Sequence, residues 1–129
     1  MAFFSKLIKP DEDVLPLWWI DVRDVARTLV AALKAPSTAE VGRKRIVVSG
    51  EYHHASELAE LVRTERPQLA ARVSKQADSA PLLKQIVFNE RFNEVLKFEL
   101  VPWKKTILDA VDALVELEEY WKAQGKPIA

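Results

Sequence analysis

Apolar positions change their period within residues 18–36, and this change predicts a strand followed by a helix. The run LPLWWIDV is apolar, aromatic and β-branched, which is typical of a buried strand. From Val22 onward apolar residues recur every three or four positions, which is the inner stripe of an α-helix. The residues of this stripe are Val22, Val25, Ala26, Leu29, Val30 and Leu33. A strand that leads into an amphipathic helix indicates an α/β protein.

Acidic residues stand at the boundary between this strand and this helix. Asp21 can accept a hydrogen bond from a free N–H of the first helical turn. Asp24 adds negative charge near the positive end of the helix dipole. A polar functional site made of Asp21, Arg23 and Asp24 is the alternative interpretation. Capping accounts for the spacing by itself, so we interpret the three residues as a structural motif.

A second strand and a second helix are predicted further along the chain. RIVVSG places three β-branched residues in a row before Gly50, which predicts a strand covered on both faces and parallel to the first. EYHHASELAELVRTERP predicts a helix that is capped at Ser56 or a neighbour and stops at Pro67. Its apolar stripe is Leu58, Leu61 and Val62. Residues 71–74 predict a short third strand.

Two helices are predicted in the C-terminal third of the chain. Asn89 caps a short helix, and KFEL leaves this helix as an extended piece. The inner face of the short helix is Phe92, Val95 and Leu96. WKKTILDAVDALVELEEYWKAQG is the strongest helical pattern in the chain, and Gly125 fits its C-terminal cap.

The expected architecture is therefore an α/β fold with two or three short, mostly parallel strands and about four helices. We expect a single domain over residues 1–129, in which residues 1–16 are irregular or form a short helix.

Composition narrows the classes of function. The 129 residues include 19 basic and 19 acidic side chains, so no strong field favours nucleic acid or an acidic membrane. The sequence has no cysteine, which excludes disulfides, thiolate catalysis and zinc–thiolate sites. No segment approaches the roughly 20 apolar residues that cross a bilayer. We expect a cytoplasmic protein with no nucleic-acid partner and no membrane partner.

The aromatic and imidazole side chains carry weak functional signals. His53 and His54 are adjacent, so their rings point apart, and no third ligand is spaced to complete a metal site. We interpret them as residues of a loop or a helix start and predict no metal ligand. The tryptophans are Trp18, Trp19, Trp103 and Trp121. Packing in the core or at its edge is their preferred interpretation, and a ligand platform is the alternative.

An ordered set of segments resembles a known family. WIDVRDVA with its alanine-rich helix, RIVVSGEYHHASELAELV, FNERFNEVLKFEL and the closing helix resemble the C-terminal, substrate-side part of extended short-chain dehydrogenase/reductases. The nearest branch is the fungal ketoreductases related to dihydroflavonol reductase and cinnamoyl-CoA reductase. The resemblance implies part of an NAD(P)-binding Rossmann-like fold, and an oxidoreductase that reduces a carbonyl of a small molecule. Lys97 stands where the family usually has glycine.

Residues that the family uses for chemistry are absent from this sequence. The glycines are Gly42, Gly50 and Gly125, which are too far apart for the glycine-rich turn that binds the pyrophosphate. The family's catalytic tyrosine is followed four positions on by lysine, whereas Tyr52 is followed by Ser56 and Tyr120 by Gln124. The catalytic serine has no identifiable equivalent. We therefore assign no catalytic or cofactor-binding residue, and the chain looks like a C-terminal fragment or a truncated gene product.

Substrate contacts can still be named from the resemblance. Phe3 and Phe4 precede the strand where relatives place substrate-lining residues, and Trp18 lies on that strand. The resemblance implies NADP or NAD and a small-molecule substrate for complete relatives, with no cofactor bound by this chain alone. The alternative is a non-catalytic interaction module. Unpaired strand edges at residues 18–22 and 46–49 would then favour a homo-oligomer or a partner protein.

Overall fold

Helices form the regular structure of the described residues, which are 7–8, 19–75 and 89–126 of the computed structural model. The helices are α1 (Val22–Leu33), α2 (Thr38–Val41), α3 (Ala55–Glu65), α4 (Glu90–Val95) and α5 (Trp103–Ala123), with a 3₁₀ helix at Pro67–Arg72. Contacts divide these residues into two compact units. The first unit contains residues 7–8, 53–75 and 104–126, and the second contains residues 19–52 and 89–103. The single domain over residues 1–129 stays a prediction.

No β-strand forms within residues 19–75 and 89–126, so the predicted Rossmann-like α/β fold with parallel strands is wrong for this part of the chain. Gly50 N–H donates to Trp19 O at 3.0 Å, which joins the two segments predicted as neighbouring strands. A strand needs a ladder of such bonds, and these segments do not form one. Val47, predicted to be covered on both sides of a sheet, is 52% exposed. Residues 71 and 72 end the 3₁₀ helix, and residues 73 and 74 follow it without forming a strand.

The starts of α1 and α3 agree with the caps that the sequence predicts. α1 follows Asp21, whose carboxylate accepts a hydrogen bond from Arg23 N–H at 2.8 Å. α3 follows His54, whose imidazole accepts from Ser56 N–H at 3.3 Å. His54 N–H donates in turn to the Glu57 carboxylate at 2.8 Å, which satisfies another free donor of this helix end. The predicted helix-start role of the histidine pair is confirmed.

The first unit buries the apolar faces of α3 and α5 together with the 3₁₀ helix. Its buried apolar residues are Leu7, Ile8, Ala55, Leu58, Ala59, Leu61, Val62, Leu69, Val73, Ile107 and Val111. The predicted stripe of α3 is therefore confirmed. α5 ends before Gly125, whose φ of 65° is the left-handed conformation predicted for the C-terminal cap. Among helices in the described ranges, none is both long and apolar enough to cross a membrane.

An ion pair links the C-terminal end of α3 to α5 and makes stability depend on pH. Arg66 donates from Nε and Nη2 to the two carboxylate oxygens of Asp112, at 2.7 and 2.6 Å. These hydrogen bonds hold the pKa of Asp112 below its ordinary value of 3.8. The folded-state pKa is below the unfolded one, so the stabilisation is complete above the unfolded pKa and is lost as pH falls through the folded pKa.

We expect Asp112→Asn to lower the free energy of unfolding by about 0.5 kcal/mol at neutral pH, because both side chains are partly exposed. The difference from wild type should shrink towards zero as pH falls through the lowered folded-state pKa of Asp112, because the wild-type carboxylate then also becomes protonated. Urea unfolding at several pH values measures this difference in the free energy of unfolding. Glu116→Gln, an exposed change on the same helix, is the control. A difference that stays constant with pH would contradict the assignment.

The core of the second unit is built around α4. Phe92, Val95 and Leu96 are buried, which confirms the inner face predicted for this helix. The Phe92 and Phe98 rings meet edge to face, with centroids 4.9 Å apart and an angle of 76° between planes. The residues packed against this cluster are Ala31, Ala35, Val41, Ile46, Val48, Phe98 and Leu100.

α1 presents to solvent the apolar stripe that the sequence assigned to the core. Val22, Leu29 and Leu33 are 79%, 65% and 87% exposed. The opposite side of the helix carries Asp24, which is 1% exposed, and Ala31, which packs on the α4 cluster. The predicted inner face of α1 is therefore wrong. Small side chains and a hydrogen-bonded carboxylate allow the helix to approach this core closely.

Lys97 follows α4 in the left-handed conformation, with a φ of 52°. A side chain costs about 1–2 kcal/mol in this conformation, and glycine does not incur that cost. Glycine also loses more backbone entropy on folding, which offsets about 0.5–1 kcal/mol of the gain. Glycine at this position would therefore remove a local backbone strain.

We expect Lys97→Gly to raise the free energy of unfolding by about 0.5–1 kcal/mol, measured by chemical denaturation. Lys97→Ala is the matched control, because it removes the charged side chain but keeps the Cβ that causes the strain. Equal stability of the two variants would show that conformational strain at this position is not the cause.

Candidate functional site

The second unit contains a cavity of about 730 Å³. Its walls come from residues 19–24, 49–52 and 89–103. The aromatic side chains among them are Trp19, Tyr52, Phe92, Phe98 and Trp103. The polar residues of the lining include Asp21, Asp24, Ser49, Glu51, Asn89, Asn93 and Glu99. A concave space of this size, with aromatic and polar walls, can accommodate a small molecule.

Two carboxylates at the start of α1 line this cavity and are held by neighbouring donors. Asp24 accepts from Val101 N–H at 2.8 Å through one oxygen and from the Arg27 guanidinium through the other. Asp21 accepts from Arg23 Nε at 2.8 Å and from Arg23 Nη2 at 2.6 Å. Each charge is compensated by a cation. Asp24 holds α1 to the segment at Val101, whereas the bonds of Asp21 are to Arg23 in the first turn of the same helix.

Asn89 has a different role from the one that the sequence predicts. α4 begins at Glu90 without a side-chain capping bond from Asn89. The Asn89 Nδ2 group donates instead to Ser49 O at 2.7 Å. Its Oδ1 atom is buried at the cavity wall and accepts no hydrogen bond from the described residues. Sequence analysis missed this contact, because asparagine before a helix is ordinarily a cap.

Gly50 brings two walls of the cavity together. A Cβ at this position would lie 2.7 Å from Trp19 O, which is closer than side-chain carbons approach backbone oxygens. The absence of a side chain lets Gly50 N–H reach the same oxygen at 3.0 Å. Glycine is therefore required here by close approach of the backbones.

The structure brings together some of the residues that the sequence singled out. Asp21 and Asp24 line the cavity, and Arg23 pairs with Asp21. The predicted substrate contacts Phe3, Phe4 and Trp18 lie outside the described residues, so their role stays a prediction.

Two of the tryptophans, Trp19 and Trp103, line the cavity. This placement fits the ligand-platform interpretation that the sequence ranked second for them. No group of three histidine, cysteine or acidic side chains that could hold a metal ion forms within residues 19–75 and 89–126. The nitrogen Nδ1 of His53 lies 3.5 Å from a Glu57 oxygen in the first turn of α3.

Comparison with known proteins relates the chain to reductases. It is 30% identical over 113 residues to a Candida albicans protein named as an NADPH-dependent methylglyoxal reductase, which is 83% of this chain and 32% of that protein. It is also 30% identical over 93 residues to Cinnamoyl-CoA reductase 1 of Oryza sativa subsp. japonica, which is 72% of this chain and 26% of that protein. The chain is a distant homologue of short-chain dehydrogenase/reductases.

The similarity covers only part of each relative. The chain spans about a third of the first reductase and about a quarter of the second, in the C-terminal part of each. No protein-family profile matches the chain, and no solved structure matches it. The predicted resemblance is confirmed in part, because both of these distant relatives are reductases.

The helix end at the cavity does not fit the pyrophosphate of a dinucleotide. Such a site needs free N–H groups at a helix N-terminus and glycines that let the backbone approach. At the start of α1 the Arg23 N–H is bonded to Asp21, and the Asp24 carboxylate adds a second negative charge. This helix start also has no glycine that would let the backbone approach a pyrophosphate, so we assign no dinucleotide-binding role to it.

Proposed function

We propose that this chain forms the substrate-binding portion of an NAD(P)-dependent oxidoreductase that reduces a carbonyl of a small molecule, and that the chain alone is not catalytic. The observation that carries the proposal is the 730 Å³ aromatic cavity of the second unit. The names of both relatives describe reductases, and the compounds in those names contain carbonyl groups. We also propose that the chain belongs to the fungal ketoreductase branch, which the Candida albicans relative supports. A cytoplasmic location is part of the same proposal.

The residues of the cavity would bind and orient the ligand. Trp19, Phe98 and Trp103 offer flat apolar surfaces for an aromatic or aliphatic body. The Asp24 carboxylate, held by Val101 N–H and Arg27, keeps the wall at Val101 against α1. NADP or NAD would supply the hydride in complete relatives.

Ligand binding to the purified chain tests the proposal. We would titrate 4-phenyl-2-butanone, an uncharged methyl ketone with an aromatic body, into isotope-labelled protein and follow backbone amide shifts by NMR. Saturable shifts should concentrate in residues 49–52 and 89–103. Phe98→Ala should weaken binding several-fold, whereas Tyr120→Ala, a change at an exposed aromatic on α5, should leave it unchanged. Shifts absent from the cavity walls, or equal effects of the two variants, would contradict the site.

The claim that the chain alone is not catalytic is tested by a separate measurement. The purified chain with NADPH and the same ketone should show no loss of absorbance at the nicotinamide wavelength above a protein-free control. Ketone-dependent oxidation of NADPH by the chain would overturn this part of the proposal.

A second candidate function, self-association, is favoured by the exposed apolar face of α1. The unpaired strand edges on which the sequence prediction relied do not form in the described residues. The five exposed side chains of α1 offer roughly 500 Å² of apolar surface, a patch size that often marks a binding site. We propose a second copy of this chain as the occupant, because the formal net charge of zero gives two copies no long-range repulsion.

Sedimentation velocity over a wide concentration range tests the dimer. The wild-type sedimentation coefficient should rise with concentration. Leu29→Glu should keep the chain monomeric, because it places a charge in the middle of the apolar face. Gln68→Glu adds the same charge at an exposed position on the 3₁₀ helix and should leave the association unchanged. A wild-type monomer at every concentration would exclude this function.

A further inference from the structure

We infer that Arg27 positions one wall of the cavity and thereby keeps the cavity ready for its ligand. This wall is the segment of residues 98–101, and each residue of the segment lines the cavity. Arg27 does not belong to the lining, so it acts through the wall and not by touching the ligand. The inference rests on the proposed function, because it concerns ligand binding in the same cavity.

The wall depends on other parts of the second unit for its position. Residues 98–101 lie between α4 and α5 and belong to no helix or strand. A segment of this kind lacks the regular backbone hydrogen bonds that fix a helix or a sheet, so it opens more easily than its neighbours. Contacts with side chains of α1 take the place of those bonds.

The guanidinium of Arg27 contacts the wall at two points. Its Nη2 atom donates to Glu99 O at 3.1 Å. Its Cζ atom lies over the Phe98 ring, 4.9 Å from the centroid, which is within the range of a cation–π interaction. The hydrogen bond restrains the backbone of the wall, and the stacking contact restrains the aromatic side chain that faces the ligand space.

The same guanidinium is anchored to α1. It pairs with the Asp24 carboxylate, one turn earlier on the helix. The other oxygen of that carboxylate accepts from Val101 N–H at 2.8 Å. The planar guanidinium has several N–H donors, so one side chain can bind a carboxylate and a backbone carbonyl at the same time. Arg27 and Asp24 together therefore join α1 to both ends of the wall.

A wall that is held in advance favours ligand binding for an entropic reason. A binding loop that is mobile in the free protein must become ordered on binding, and this ordering reduces affinity. With Arg27 in place, the wall is ordered before the ligand arrives. Without Arg27, the ligand would have to order the wall itself. The inference therefore predicts weaker binding and a wall whose motion changes when the ligand binds.

Ligand binding by a variant of Arg27 tests the first expectation. Arg27→Met removes the charge and the donors but keeps a long side chain, and it should weaken binding of 4-phenyl-2-butanone about three- to tenfold in the NMR titration. Arg91→Met is the matched control. Arg91 also pairs with a carboxylate three positions away and donates to backbone carbonyls of a loop, Val41 O and Arg43 O. It lies outside the cavity lining, so this variant should bind like wild type.

Backbone amide relaxation separates positioning of the wall from a general loss of stability. Residues 98–101 should be more mobile in ligand-free Arg27→Met than in wild type, and the ketone should reduce this motion. The rest of the second unit should keep its wild-type relaxation rates. Arg27→Lys keeps the charge beside Asp24 but ends one bond short of the Nη2 position. It should fall between wild type and Arg27→Met in both measurements, and it serves if Arg27→Met fails to fold.

Three results would overturn the inference. Wild-type affinity in Arg27→Met, or in Arg27→Lys if only that variant folds, would overturn it and leave the proposed function standing. An equal rise in motion across the whole second unit would do the same, because Arg27 would then stabilise the unit without positioning the wall. If the wild-type chain does not bind the ketone, the proposed function fails, and the inference fails with it.

Discussion

Replacing Phe92 with alanine is expected to lower the free energy of unfolding by about 3–5 kcal/mol, the range for loss of a buried aromatic side chain. Phe92 is 2% exposed and is the largest residue of the cluster in the second unit. Its ring also loses the edge-to-face contact with Phe98. Since a domain of this size has only about 5–15 kcal/mol of stability, this variant would be close to unfolding at room temperature.

Denaturant unfolding monitored by circular dichroism measures this loss. Tyr120→Ala is the control, because Tyr120 is 58% exposed and its removal should change stability by less than about 0.5 kcal/mol. A loss below about 1 kcal/mol for Phe92→Ala would mean that the α4 cluster is not the core of this unit.

Removing the Asp24 carboxylate is expected to have the next largest effect. Asp24→Ala should lower the free energy of unfolding by about 2–3 kcal/mol, because the Val101 N–H loses its acceptor and Arg27 loses its counter-ion. The cost is smaller than for a fully buried pair, since the Arg27 side chain is 48% exposed. Asp24→Asn should lower the free energy of unfolding by about half as much, because the amide oxygen of asparagine can still accept from Val101 N–H.

The matched control for this prediction is Asp109→Ala. Asp109 pairs with Lys105 one turn away on α5, and both side chains are partly exposed, so removal of Asp109 should cost less than about 1 kcal/mol. Urea unfolding of the three variants and wild type gives the comparison. Equal losses for Asp24→Ala and Asp109→Ala would contradict the view that Asp24 is a buried anchor.

Local signals in the sequence predict the helices of this protein well. The cap at Asp21 and the stop before Pro67 act through neighbours in the chain. The long helical pattern that ends at Gly125 is also a property of adjacent turns. Helical hydrogen bonds join residues four apart, so a local pattern contains most of the information that places a helix.

Contacts between distant residues account for what the sequence misses. Asp24 is 77 positions from Val101, and Asn89 is 40 positions from Ser49. An acid in the first turn of a helix and an asparagine before a helix both look like ordinary caps. The one signal for burial of Asp24 is Arg27, three positions on, which supplies a counter-ion on the same helix.

The amino-acid sequence by itself determined where α1, α3, α4 and α5 lie and indicated the similarity to reductases, but it did not predict α2 or the 3₁₀ helix. The tertiary structure alone decided that the apolar stripe of α1 faces solvent and that RIVVSG is not a strand. It also decided that Asp24 and Asn89 line a cavity. The physical reason is that burial and strand pairing need a partner surface, and which partner a segment meets is a property of the folded chain and not of the segment.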